Sequence, residues 1–250
     1  MRRRDAANAD TNASAANVNT RPTVAASLLV EAGLADAAIC GGSGNWMNQW
    51  HYAFDIIGKR PDVSRVYGLS AVIIPSGTLF FVDTHLLVEP TAEQLAEMTC
   101  LAAEQVKAFG ITPKVALLSH SSFGASQAPA ARTMREALKL IRARAPGLEV
   151  DGEMHADAAL VPAIRARAVP ESALTDTANL LVFPNLDSAN ISFNLLKAAA
   201  EGLQLGPVLL GMNKPVHVLV PSVTARGIVN ITALAAHQAQ GREKERAAEG

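Results

Sequence analysis

Serines and one histidine with the chemistry for ligand binding follow a short apolar run. The run Val115–Leu118 leads directly into Ser119, His120, Ser121 and Ser122. In α/β proteins ligands gather at the carboxyl ends of strands, so Ser119, Ser121 and Ser122 are candidate ligand contacts. A serine hydrolase is disfavoured, because no G-x-S-x-G turn surrounds these serines and no acidic partner can be placed. Simple turn capping by the hydroxyls is the alternative.

A cluster of three acidic residues and one histidine follows Val150. It contains Asp151, Glu153, His155 and Asp157. A divalent metal usually needs three or more convergent ligands, and the family resemblance described below implies that no metal is used. We therefore interpret the cluster as structural or ligand-facing, with Asp151 and Glu153 as candidate ligand contacts, and we predict no metal site.

A third polar group follows the predicted strand Asn179–Phe183. Asn185, Asp187, Ser188 and Asn190 are expected to form a polar turn before a helix over Ile191–Ala200. Asp187 and Asn190 are candidate ligand contacts. Asn and Asp side chains also cap turns without any ligand, so that alternative stays open.

The stretch Gly206–Ala236 predicts strand, loop, strand, polar turn and helix. Its strands are expected at Val208–Leu210 and Val216–Val220, and a hydroxyl should cap the helix that follows. Such a turn points free backbone N–H groups and the positive helix end at a bound anion. An ordinary capped connection is the alternative. The candidate ligand contacts here are Asn213, Lys214, Ser222 and Thr224.

A glycine-rich turn stands between a predicted strand, Ala35–Cys40, and a predicted helix, Trp46–Ile57. Its glycines are Gly41, Gly42 and Gly44. The turn is no P-loop, because no Lys-Ser/Thr pair follows, and it does not match G-x-G-x-x-G. It could cradle a phosphate or simply supply the positive φ angles that a tight turn needs.

Composition excludes several classes of protein. The chain has 250 residues, 49% hydrophobic and 18% charged, with 22 basic against 23 acidic residues. This balance gives no reason to expect nucleic acid or an acidic membrane surface as a partner. No apolar run approaches the roughly 20 residues that span a bilayer. Two cysteines without CxxC spacing, Cys40 and Cys100, are typical of reduced thiols in a cytoplasmic protein.

The order of the predicted elements indicates an α/β protein with a mainly parallel sheet. A hairpin is expected at Ser70–Ile74 and Leu79–Val82, and a helix capped by Thr91 follows it. Residues 1–20 have almost no large apolar side chains and are predicted to be disordered. Residues 241–250 are predicted to form a solvated charged tail.

Four of these stretches together resemble one known family. They are Lys114–Gly124, Asp151–Leu160, Ala178–Lys197 and Gly206–Ala236. They are similar to the phosphate acetyl/butyryl transferase family, and most similar to the version fused behind the catalytic domains of bacterial NADP-dependent malic enzymes.

The resemblance implies two α/β/α domains of the isocitrate/isopropylmalate-dehydrogenase-like fold, truncated at the N-terminus. Residues 21–65 and 213–240 would form a partial first domain and residues 66–212 the second. Acyl-CoA would lie between them, no metal would be used, and the second domain would form a homodimer.

The resemblance also implies which residues would carry the family reaction, and this sequence departs from them. A catalytic Ser-Arg pair falls on Val220 and Pro221, and a catalytic acid falls near Gly227. An arginine and a lysine of catalytic relatives correspond to His51 and Asn194.

These departures imply a non-catalytic, regulatory acetyl-CoA-binding module, with malic-enzyme catalytic domains as expected partners and no cofactor other than acetyl-CoA as substrate or effector. The alternative is an active phosphate acetyltransferase that moves an acyl group between CoA and phosphate.

Overall fold

The computed structural model describes the backbone of residues 21–249 and the side chains of residues 21–241. The predicted disorder of residues 1–20 lies outside this range. The chain divides into two compact units. Of the described residues, 21–60 and 212–249 belong to unit 1, and Pro61–Gly211 is unit 2.

Helices and strands mostly alternate through the described residues. In chain order they are α1 (Pro22–Glu31), β1 (Ala38–Gly41), α2 (Trp46–Ile57), β2 (Tyr67–Ile74), β3 (Gly77–Val82), α3 (Ala92–Ala108), β4 (Lys114–Leu118), α4 (Pro129–Arg144), β5 (Glu149–Met154), α5 (Ala156–Leu160), α6 (Pro162–Ala168), β6 (Leu180–Val182), α7 (Leu186–Ala199), β7 (Leu203–Leu210), β8 (Val216–Leu219) and α8 (Ala225–Glu249). The alternation is interrupted at the pairs β2–β3, α5–α6 and β7–β8.

Unit 1 is built around a parallel pair of strands from distant parts of the sequence. β1 pairs with β8 in a register that runs from Ala38 opposite Val216 to Gly41 opposite Leu219. The indole N–H of Trp46 on α2 donates to the carbonyl of Val218 at 2.9 Å, which holds the start of that helix against β8.

The last helix is longer than the sequence pattern predicts. α8 begins after Thr224, whose hydroxyl accepts the N–H of Gly227 at 3.1 Å, as expected for a cap. It then continues through Gly241 to Glu249, so the backbone of the predicted charged tail is helical as far as Glu249. One glycine costs a helix only about 1 kcal/mol relative to alanine, and the neighbouring Ala, Gln, Glu, Lys and Arg residues are good helix formers.

Unit 2 contains a six-stranded mixed sheet in the order β5-β4-β6-β3-β2-β7. β5, β4, β6 and β3 are parallel, whereas β2 pairs antiparallel with both β3 and β7. The expectation of a mainly parallel sheet is confirmed for these four strands, and the predicted hairpin is the antiparallel β2–β3 pair. β7 contains Gly206 and Pro207, which interrupt a strand pattern, so the sequence indicated only its second half. Proline is tolerated here because β7 is an edge strand.

The core of unit 2 lies against the sheet and includes three phenylalanines. The Phe81 ring stacks on Phe183 with centroids 5.8 Å apart and meets the edge of Phe193 at 5.7 Å. Such aromatic contacts are worth about 0.5–1.5 kcal/mol beyond the burial of their area. They fix α7, which carries Phe193, against the strands whose ends carry the polar segments described below.

Helix starts in unit 2 follow local capping chemistry. Thr91 and Gln94 form the predicted capping box of α3, with hydrogen bonds of 2.9 and 3.3 Å. Asn185 caps α7 by accepting the N–H of Ser188 at 2.9 Å. The helix therefore starts at Leu186 rather than at Ile191, and the predicted polar turn is the first part of α7.

None of the helices within residues 21–249 is long and apolar enough to cross a membrane.

Candidate functional site

The carboxyl ends of four parallel strands bring several polar segments to one edge of unit 2. Asp83–His85 follows β3, residues 119–126 follow β4, His155 follows β5 and Asn185 follows β6. This is the edge where ligands bind in open α/β sheets. We call residues 119–126 the serine loop.

The serine loop is closed by hydrogen bonds to the end of β5. Ser121 is buried, and its hydroxyl donates to Oε1 of Glu153 at 2.6 Å and accepts the N–H of Ser126 at 2.9 Å. Ser119 and Ser122 are partly exposed on the same loop. Ser121 therefore holds the loop together, while the hydroxyls of Ser119 and Ser122 accept the N–H groups of Ser121 at 3.1 Å and His155 at 3.4 Å.

Glu153 is fully buried beneath the serine loop. Its Oε1 also accepts the N–H of Gly124 at 3.0 Å and pairs with Nη1 of Arg135 at 2.8 Å. Burial opposes ionisation, but the hydrogen bonds from Ser121, Gly124 and Arg135 outweigh it and lower the pKa of Glu153 below its ordinary value. The group is an ionised carboxylate that organises the loop.

The carboxylate of Asp151, two residues earlier on β5, also has partners within unit 2. It pairs with Arg142 of α4 at 3.0 Å, and its other oxygen accepts from the Ser172 hydroxyl at 2.7 Å and the Ala173 N–H at 2.8 Å. The structure thus gives both predicted carboxylates, Asp151 and Glu153, partners inside unit 2. Neither is included in the ligand contacts proposed below.

The end of β3 carries a polar cluster that sequence reasoning treated only as core packing. The Asp83 carboxylate is 3% exposed and accepts three backbone N–H groups, from His85 at 2.8 Å, Leu86 at 3.1 Å and Leu87 at 3.2 Å. Burial outweighs these bonds and raises the pKa of Asp83 to about 6. The signal was present in the sequence, since an acid, a threonine and a histidine directly follow an apolar strand.

Thr84 connects this cluster to its neighbours. Its hydroxyl lies 2.7 Å from that of Ser70 and 2.8 Å from Nδ1 of His85, and its carbonyl accepts from Asn190 of α7 at 3.1 Å. Burial and the nearby Lys197 cation lower the pKa of His85 to about 4, so its imidazole is neutral at pH 7. Asn190 therefore ties α7 to the end of β3, while Asp187 is exposed in the first turn of α7.

In unit 1 the glycine-rich turn is required by close backbone packing. Gly41 has φ of 83°, and a Cβ there would lie 2.7 Å from the carbonyl oxygen of Leu219. The next residue, Gly42, donates its N–H to that oxygen at 2.9 Å. Asn45 ends the turn and caps α2 by accepting the N–H of Asn48 at 3.2 Å. Strand pairing explains Gly41, and no ligand is needed for it.

Asn213 and Lys214 have partners within unit 1. The N–H of Asn213 donates to Gly58 at 3.0 Å. Lys214 donates to the carbonyl of Glu31 at 2.6 Å and pairs with its carboxylate at 3.0 Å. A cation is favourable at the carboxyl end of a helix, here α1.

The segment after β8 offers little for acyl-transfer chemistry. Val220 is buried, Pro221 is exposed and Gly227 lies buried in the first turn of α8. None of these three side chains can give or take a proton. Ser222 is exposed, and the Thr224 hydroxyl is the helix cap. Among the residues whose side chains are described, no three His, Cys, Asp or Glu residues converge as a metal site would require.

Comparison with known proteins identifies the family. The model of the family described as "Phosphate acetyl/butaryl transferase" matches residues 1–236. The chain belongs to this family. The assignment agrees with the resemblance carried by the four sequence stretches.

The relatives fall into two groups. The chain is 50% identical over 222 residues to the NADP-dependent malic enzyme of Escherichia coli, a match that covers 88% of this chain and 29% of the enzyme. It is 39% identical to the phosphate acetyltransferase of Paracoccus denitrificans, over 87% of this chain and 70% of that protein. The chain thus spans less than a third of the malic enzyme that it matches.

Solved structures of the family share the fold. The phosphotransacetylase from Streptococcus pyogenes is 34% identical with a TM-score of 0.81, over 88% of this chain and 67% of that one. A putative 4-hydroxythreonine-4-phosphate dehydrogenase from Salmonella typhimurium matches at 14% identity and a TM-score of 0.52, over 86% and 68% of the two chains. At that identity the likeness concerns the fold alone.

Proposed function

We propose that this chain is a non-catalytic acetyl-CoA-binding module of the phosphate acetyl/butaryl transferase family. One observation carries the proposal. The positions that the family resemblance assigns to a reacting Ser-Arg pair and to an acid hold Val220, Pro221 and Gly227. A buried valine, a proline and a glycine supply no base, no hydroxyl and no cation.

The missing groups matter because of the reaction's chemistry. Moving an acetyl group between phosphate and coenzyme A needs a base to deprotonate the thiol, whose pKa is about 8.5. It also needs a cation to stabilise the developing negative charge. Each placed group typically contributes about 10²–10⁴-fold to the rate. Loss of both should bring turnover close to the uncatalysed background.

Ligand binding does not require the base and the cation that catalysis needs. A pantetheine arm and phosphates can be held by partly exposed hydroxyls, amides and backbone N–H groups. In unit 2 the proposed contacts are Ser119, Ser122, Asp187 and Asn190. In unit 1 the exposed Ser222 is a separate candidate contact, because Glu31 binds the ammonium of Lys214, the Thr224 hydroxyl caps α8 and the Asn213 N–H donates to Gly58.

Similarity to malic enzymes supports a regulatory role. The sequence is 50% identical to the E. coli malic enzyme and 39% identical to the P. denitrificans phosphate acetyltransferase. We propose that the module acts with malic-enzyme catalytic domains as partners, that acetyl-CoA is the effector, and that the protein is a cytoplasmic homodimer. The two units would correspond to the isocitrate/isopropylmalate-dehydrogenase-like fold, which the dehydrogenase similarity supports.

Two measurements on the purified chain test the proposal. Calorimetry with acetyl-CoA should give saturable binding, with CoA and acetate alone as controls. A thiol-release assay with acetyl-CoA and phosphate should give no rate above background. The triple variant Val220→Ser, Pro221→Arg and Gly227→Asp is the positive control. It restores the missing groups and should raise the rate of thiol release. Absence of acetyl-CoA binding would refute the module.

The second candidate function is an active phosphate acetyltransferase. The 39% identity to a phosphate acetyltransferase over 70% of its length favours it. Its chemistry would need substitute groups, and Ser222 and Arg226 are the nearest hydroxyl and cation. Turnover typical of an enzyme that is abolished by Ser222→Ala or Arg226→Met would establish this function in place of the first.

A further inference from the structure

Two buried carboxylates on β5 are each paired with an arginine of α4, but they hold different parts of unit 2. Asp151 pairs with Arg142 and accepts from Ser172 and Ala173. Glu153 pairs with Arg135. The two pairs therefore have the same chemistry and the same supporting elements, while only the second reaches the serine loop.

The Glu153 pair holds the serine loop through a single oxygen atom. Its Oε1 receives the Ser121 hydroxyl, the Gly124 N–H and Arg135, whereas Oε2 has no hydrogen-bond partner among the described residues. The backbone carbonyl of Glu153 accepts the N–H of Phe123 at 2.7 Å. The middle of the serine loop is thus held by hydrogen bonds to Glu153.

Arg135 holds the far end of the same loop. Besides the carboxylate, it donates to the carbonyl of Ser126 at 3.1 Å. The Ser126 N–H in turn donates to the Ser121 hydroxyl at 2.9 Å, which itself donates to Glu153. The ionised Glu153 carboxylate strengthens the bond that it accepts from Ser121, and its loss leaves the buried Ser121 hydroxyl without this acceptor.

We propose that Glu153 is the positioning residue of the serine loop and that, through Arg135 and Ser121, it sets the affinity for acyl-CoA. The inference rests on the proposed function, because Ser119 and Ser122 are the loop residues that would contact the ligand. Glu153 touches no ligand itself. It fixes where the two hydroxyls stand, and preorganisation of this kind lowers the ordering cost of binding.

The decisive variants are Arg135→Met and Arg142→Met. Each removes an arginine of α4 from a buried carboxylate of β5, so Arg142→Met is a control for the loss of such a pair. Calorimetry with acetyl-CoA should show at least tenfold weaker binding for Arg135→Met and less than a twofold change for Arg142→Met. Glu153→Gln should weaken binding as Arg135→Met does, and Ser121→Ala is a milder variant if either fails to fold.

Hydrogen exchange gives a readout that needs no ligand. The amides of Gly124 and Ser126 should lose protection in Arg135→Met and Glu153→Gln. In Arg142→Met the amide of Ala173 should lose protection instead. Equal exchange in the serine loop of all variants would overturn the inference.

The two possible failures are distinguishable. A wild-type chain that does not bind acetyl-CoA refutes the proposed function and with it the effect on affinity. A wild-type chain that binds, with Arg135→Met and Arg142→Met weakened equally, overturns the positioning role alone.

Discussion

Replacement of Arg165 by methionine should strongly destabilise unit 2. The side chain is 2% exposed, and its guanidinium donates to four carbonyl oxygens. Two belong to Ala158 and Ala159 in the last turn of α5, at 3.0 and 3.3 Å. The others belong to Leu174 and Asp176, at 3.1 and 2.7 Å. Arg165 thus satisfies helix-end carbonyls that have no partner within the helix.

The size of the effect follows from these four bonds. A hydrogen bond to a charged group contributes about 1.5–3 kcal/mol, and a buried acceptor left unpaired costs about 1–3 kcal/mol. The contributions are not additive, because water enters when the side chain is shortened. We expect Arg165→Met to lower the free energy of unfolding by about 3–5 kcal/mol, in the range seen when one partner of a buried charged interaction is removed.

Urea titration followed by circular dichroism measures this loss. Arg167 stands on the same helix, α6, with its side chain exposed, so Arg167→Met is a matched control. The control should change the free energy of unfolding by less than about 0.5 kcal/mol. If the Arg165 and Arg167 variants unfold at the same urea concentration, the guanidinium does not stabilise unit 2 and the reasoning is refuted.

Three further changes test the described geometry. Burial raises the pKa of Asp83 from 3.8 to about 6, so the protonated side chain is the form that favours the folded state. This contribution to stability is present below pH 4 and is lost as the pH rises through 6. The loss of about 2–3 kcal/mol should be absent in Asp83→Asn when urea midpoints are compared across that range. Gly41→Ala should cost more stability than Gly42→Ala in thermal melts, because both have positive φ but only Gly41 would bring a Cβ against Leu219; equal costs would contradict the contact. Asn45→Ala should lower the free energy of unfolding by about 1 kcal/mol, and an unchanged melting temperature would show that the cap of α2 is not needed.

Element types were largely predictable because apolar periodicity and capping residues are local signals. Thr91 with Gln94, and the hydroxyl of Thr224, correctly indicated where their helices begin. Asn185 was misjudged because an asparagine that opens a turn and one that caps a helix have the same local pattern. On the antiparallel side of the sheet the β2–β3 hairpin was predicted, whereas the pairing of β7 with β2 was not, because it joins residues far apart in the sequence.

The positions of the polar segments at strand ends were predictable from the sequence, but the hydrogen bonds of their residues were not. Hydroxyls and amides follow the apolar strand runs, and the carboxyl ends of parallel strands share an edge. It could not show that Ser121 and Glu153 bond each other, because their spacing along the chain contains no information on the contact. It also passed over Asp83, although an acid, a threonine and a histidine directly follow the apolar strand; the three backbone donors to the carboxylate became visible only in the structure.

The pairing of β1 with β8 determines the order in which this protein can be assembled during synthesis. Unit 2 is one continuous segment, Pro61–Gly211, so all of its strands leave the ribosome before β8 does. β1 emerges early and must wait for Val216–Leu219, its only strand partner among the described residues. Domains generally fold as units while the chain grows, so the sheet of unit 1 closes last. A nascent chain released before Leu219 would carry β1 with its hydrogen-bonding groups exposed as an unpaired edge.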